Sequence, residues 1–146
     1  MDDKTVEQKV WQRVRSAAEE PPGNDLRQLQ REAMELAATY RNLMPQFTGR
    51  QQELARQLYL GEKANGATLA GIGILSHQSE EQLKLWQPGK EPVKKLLERC
   101  YHRARRCMTE YMARAADSEY GVVFQKMADK EGQHCTLIAE LLGSLG

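Results

Sequence analysis

Residues 120–141 read YGVVFQKMADKEGQHCTLIAEL, and their spacing decides the fold. Tyr120, Phe124, Met127, Glu131, His134, Ile138 and Leu141 follow one another at steps of 4, 3, 4, 3, 4 and 3. That rhythm keeps one stripe of a helix turned towards a partner, as the seam of a helical bundle requires. Glu131 and His134 are the only strongly polar members, and they sit inside the row rather than at its ends.

The same rhythm occurs earlier, in Ala55, Leu58, Glu62, Asn65, Leu69 and Ile72. Glu62 lies 69 positions before Glu131, and Asn65 lies 69 before His134. Polar residues therefore interrupt two apolar rows at one level, which scattered surface charge would not do. Two more rows precede these. Leu26, Leu29, Ala33, Leu36, Tyr40 and Leu43 form one, and Leu97, Cys100, Ala104, Cys107 and Tyr111 the other. Ala33 and Tyr40 lie 71 positions before Ala104 and Tyr111, so the chain reads as a diverged duplication of a helical hairpin. An ungapped offset of 69 is the rival register and pairs Glu35 with Ala104.

Breakers and caps bound the segments. Residues 3–18 read as a short helix carrying Val6, Val10, Trp11 and Val14, ended by Pro21-Pro22-Gly23. Asn24 or Asp25 can cap the next helix, which runs from about Leu26 to Met44 and stops at Pro45. A third helix covers about 49–74, a fourth begins at Pro92 and ends near Ala116, and a fifth runs from Asp117 or Ser118 to Leu142. Residues 1–22 are then an N-terminal helix and linker, and 23–146 a four-helix bundle. Short connections make antiparallel hairpins of 26–74 and 92–142. The connection between them, about 76–91, could cover about 50 Å when extended. A helix of about 25 residues is only about 37 Å long. A crossover along the whole bundle is thus allowed, whereas a plain up-down-up-down bundle would not need it.

Composition agrees with an all-helical chain. Of 146 residues, 28% are charged and 6% aromatic, and no alternating apolar run is long enough for a strand. A formal charge of +1 gives no basic field for nucleic acid. The stretch Ala64–Leu75 is too short to span a membrane. Residues 1–5, charged and with no apolar segment behind them, do not resemble a secretory signal. Cys100, Cys107 and Cys135 have no Cys-x-x-Cys spacing and read as reduced thiols in a cytoplasmic protein.

The text Glu119-Tyr120-Gly121-Val122-Val123-Phe124, Met127-Ala128 and Glu131-Gly132-Gln133-His134 resembles rubrerythrin-like ferritin domains. So does Leu96-Leu97-Glu98-Arg99-Cys100-Tyr101 with Tyr111, and the resemblance covers roughly 26–143. It implies a ferritin-like four-helix bundle with one long crossover. It also implies a di-metal site: two Glu-x-x-His motifs on the second helices of the hairpins, and one inward Glu on each first helix. Glu and His three apart share a helix face, so both can reach one ion. This chain keeps Glu62, Glu131 and His134, has Asn65 in place of a His, and has Ala33 and Ala104 where the other two carboxylates belong. Glu32 or Glu35 is the candidate fourth ligand. The cofactor expectation is therefore none, or a single weakly bound iron or manganese ion.

Without metal, Glu62 and Glu131 would face each other in a low-dielectric core. One would stay protonated, or an arginine from Arg103, Arg105 and Arg106 would pair with them. Asn65 is expected opposite His134. Cys100, Cys107, Tyr40 and Tyr111 read as core residues, the tyrosines with bonded hydroxyls. Trp11 and Trp86 lie outside the rows and suit an apolar edge or a homodimer contact. The expected role is non-catalytic, structural or in interaction. The alternative is an iron or manganese redox protein acting on peroxide or oxygen.

Overall fold

The computed structural model describes residues 26–75 and 90–146. Four α-helices make up this part: α1 Leu26–Leu43, α2 Gly49–Leu75, α3 Val93–Asp117 and α4 Gly121–Ser144. There is no strand among the described residues, and none of their helices is long and apolar enough to cross a membrane. The N-terminal helix, its Pro21-Pro22-Gly23 stop, Trp86 and most of the 76–91 connection lie outside the described residues.

The helices stand where the apolar spacing put them. Every member of the rows on α1, α2 and α3 is buried, and on α4 only Tyr120, just before the helix, is partly exposed. Tyr111 stacks on Phe124 with ring centroids 6.3 Å apart. Pro45 ends α1 in a single 3-10 turn, Met44–Gln46. Gly49 then starts α2 at φ +58°, a conformation that side chains with a Cβ rarely adopt. Pro92 precedes α3 in extended geometry, and its carbonyl accepts from the Leu96 amide at 3.0 Å. Between α3 and α4 the Ser118 hydroxyl accepts from the Tyr120 amide at 3.0 Å.

Cross-helix pairs fix the directions. The start of α2 meets the end of α4, through Arg50 on Glu140 at 3.2 Å and Gln51 on Ser144 at 2.9 Å. Those two helices are therefore antiparallel. On the other side Arg103 reaches Glu35 while Arg106 approaches Glu32, so α3 runs against α1. The tight turn makes α1 and α2 antiparallel, and Asp117 to Gly121 does the same for α3 and α4. Hence α1 and α4 point one way, α2 and α3 the other. The two hairpins are related by an approximate two-fold axis across the bundle.

Candidate functional site

Antiparallel packing of α2 on α4 brings the four central polar residues into two crossed pairs. The Nδ1 of His134 lies 2.9 Å from Glu62 Oε1. Asn65 Nδ2 donates to Glu131 Oε1 at 3.0 Å. The pairs touch, because the same Nδ1 is 3.5 Å from Glu131 Oε2. Glu62, Glu131 and His134 thus each offer a ligand atom, all within 4.8 Å of one another, and all three side chains are buried. Ala33 and Ala104, both fully buried, stand at this level on α1 and α3.

Asn65 is bonded to Glu131 rather than set opposite His134. The duplicated positions are equivalent in sequence, 62 with 131 and 65 with 134. Antiparallel helices join unlike levels, however, and so pair 62 with 134 and 65 with 131.

Burial dominates the titration of the cluster. It pushes Glu62 well above the usual carboxyl range, and the charge of Glu131 pushes the same way. For His134 burial acts downward, but hydrogen bonds and attraction from Glu131 and Glu62 outweigh it and raise the imidazole to about 9. Both shifts hold a proton in the cluster as pH rises, shared along the 2.9 Å contact between His134 Nδ1 and Glu62 Oε1. Of the two outcomes expected for the facing acids, the upward shift of Glu62 agrees with one staying protonated, and Arg103 pairs with Glu32 and Glu35 instead. Glu62 Oε2 and Glu131 Oε2 are buried with no hydrogen-bond partner among the described residues.

Glu32 and Glu35 do not join the cluster. Arg103 holds both, Glu32 at 2.7 Å and Glu35 at 3.3 Å, on the seam between α1 and α3. Arg103 is next to Ala104 in sequence, and it and both carboxylates keep part of their side-chain surface exposed, unlike the buried cluster. Arg105 lies over Tyr101, 6.0 Å from the ring centroid, and Arg106 is exposed, 4.0 Å from Glu32.

Cys100 and Cys107 are buried, and desolvation raises the Cys100 thiol to about 12 and Cys107 further in the same direction. Such thiols are not nucleophiles near neutral pH. The Tyr111 hydroxyl is buried without a hydrogen-bond partner among the described residues, contrary to the bonded hydroxyl expected, whereas the Tyr40 hydroxyl, with no nitrogen or oxygen partner, meets the Cys100 thiol. The glycines of α2, Gly61, Gly66, Gly71 and Gly73, read in the sequence as residues that allow close helix approach or weaken the helix, and at Gly61 it is close approach that the structure shows. A Cβ there would overlap His134 Nε2 and come within 2.6 Å of Cε1, so α2 lies directly on the imidazole edge.

No family model matches the chain, and neither does a curated protein or a solved structure.

Proposed function

We propose that this chain is a ferritin-like bundle whose central metal-binding layer has become an internally neutralised polar layer, and that it acts as a structural or interaction protein rather than a catalyst. One observation carries the reading. Glu62 is paired with His134, Glu131 with Asn65, and Glu32 and Glu35 with Arg103, so each carboxyl group that could serve an ion already has a protein partner. A pair of ions needs bridging and terminal carboxylates together, and the residues present do not fit two ions. Ala33 and Ala104 supply no ligand, Asn65 supplies no imidazole, and no step of catalysis is assigned to the layer.

A second reading rests on a different observation. Three donors within 4.8 Å, with Glu62 Oε2 and Glu131 Oε2 unpartnered, suit one iron or manganese ion completed by water. That ion would support redox chemistry on peroxide or oxygen.

Metal analysis of the purified full chain, together with Glu131→Gln, separates the two. For a metal-free layer, less than one ion per chain is expected, and Glu131→Gln keeps or raises the melting temperature by removing carboxylate repulsion without a cavity. Stoichiometric iron or manganese that is lost in Glu131→Gln, together with stability, would establish the redox reading instead.

A further inference from the structure

The outward side of α2 changes character at its midpoint. Its first half exposes Arg50, Gln52, Arg56 and Gln57. Its second half exposes Leu60, Ala64, Ala67 and Gly71, at steps of 4, 3 and 4, with Lys63 the single exposed charge between 58 and 73. The other long helices stay charged outward, as with Glu98 and Arg99 on α3 and Lys126 and Asp129 on α4. Leu60 is 44% exposed. Met34 of α1 is 40% exposed and lies against Gly66, which widens the patch. A helix that is apolar on both sides belongs between two partners, and 4-3-4 spacing is the seam another helix reads.

Where the rest of the chain enters selects the occupant. Met34 faces Gly66 in an antiparallel hairpin. Leu26, eight residues before Met34, therefore stands at the level of residue 74, eight after Gly66. Residues 1–25 join the bundle at the end of α2 that carries the apolar face. A helix over 3–18 would be about 24 Å long, against about 16 Å from Leu60 to Gly71. Residues 19–25 can cover about 23 Å, enough to fold back. The side chains also complement one another in size: Val6, Val10 and Val14 are bulky where Ala64, Ala67 and Gly71 are small.

We infer that residues 3–18 dock as a fifth helix on the outer face of α2, with Val6, Val10 and Val14 along Ala64, Ala67 and Gly71. This holds whether or not the central layer binds metal.

The test uses the full chain carrying Trp86→Phe, which leaves Trp11 as the only tryptophan. Trp11 emission is expected at shorter wavelength than in urea, and trypsin should spare Arg13 and Arg15. Adding Ala67→Glu should move the emission to its value in urea and open both arginines, while helical circular dichroism of the bundle persists. Val10→Asp should do the same from the other side, and serves if Ala67→Glu fails to fold. Gln57→Glu, on the polar half of the same side, should change neither readout. Trp11 fully exposed in the parent chain overturns the inference. So does protection that vanishes on dilution as a dimer dissociates, which would assign the face to a second copy. If Ala67→Glu lowers the melting temperature without moving Trp11, another segment covers the face and the inference fails.

Discussion

A methyl group at position 61 would stand where His134 keeps its Nε2. Gly61→Ala must therefore displace the imidazole, leaving Glu62 without its hydrogen-bond partner in a buried site. The expected cost is about 2–4 kcal/mol in urea unfolding. Gly132→Ala is the control on α4. Its Cβ would meet only Met108 Sδ at 3.6 Å, an ordinary contact, so the better helix former should stabilise by about 1 kcal/mol. Equal effects of the two would contradict the packing described. His134 also sets a pH dependence. Its folded value, about 9, lies above the ordinary 6.5. Its contribution is complete below pH 6.5 and is lost as pH rises through 9. Glu62, also raised, acts in the same direction. Stability should fall between pH 6.5 and 9.5 by on the order of 3 kcal/mol, and His134→Gln should flatten that slope. A melting temperature that rises over this interval would contradict it.

At the scale of elements, the two hairpins meet through opposite chemistries. Between α2 and α4 the contact is the buried polar layer. Between α1 and α3 it is Arg103 with Glu32 and Glu35, partly exposed at 14% and 20% of side-chain surface. Solvent screens this second set, so Arg103→Leu should cost only about 1 kcal/mol. A double-mutant cycle with Glu32→Gln should show coupling below that figure, and a coupling of zero would reduce the pair to a surface ornament. The rows themselves were legible in the sequence because burial selects apolar residues at steps of 3 and 4, a local rule. The partners of Arg103 and His134 were not. Which carboxylate a cation meets depends on the relative direction and rotation of two helices, which no spacing within one helix contains. Glu32 and Glu35, read as ligands, answer to an arginine 68 to 71 positions away. Gly61 belongs to no row, and as one of four glycines in α2 it signalled close helix approach without saying which side chain would approach.

For the whole molecule, the directions of the helices place Leu75 and Val93 at opposite ends of the bundle. The all-α class, the two hairpins and the level of the polar layer were readable from periodicity and from the repeated rows. The state of the layer was not, since the same Glu-x-x-His serves an ion or an internal salt bridge. Circular dichroism and metal content should therefore vary independently here: chelator treatment should leave both helicity and melting temperature unchanged. A fall of more than a few degrees on chelation would mean that an ion completes the core.

The approximate two-fold axis makes each half a template for reading the other. Under it, the position that corresponds to Gly61, opposite His134, is Lys130, 69 residues on and expected opposite Asn65. A large ring on one helix goes with a bare backbone opposite, and a small amide goes with an ordinary side chain opposite. Asn65→His alone should then be rejected by the Cβ of Lys130, whereas Asn65→His combined with Lys130→Gly should be tolerated. The double variant would carry two equivalent acid–imidazole contacts, one on each side of that axis, and the layer would become self-complementary.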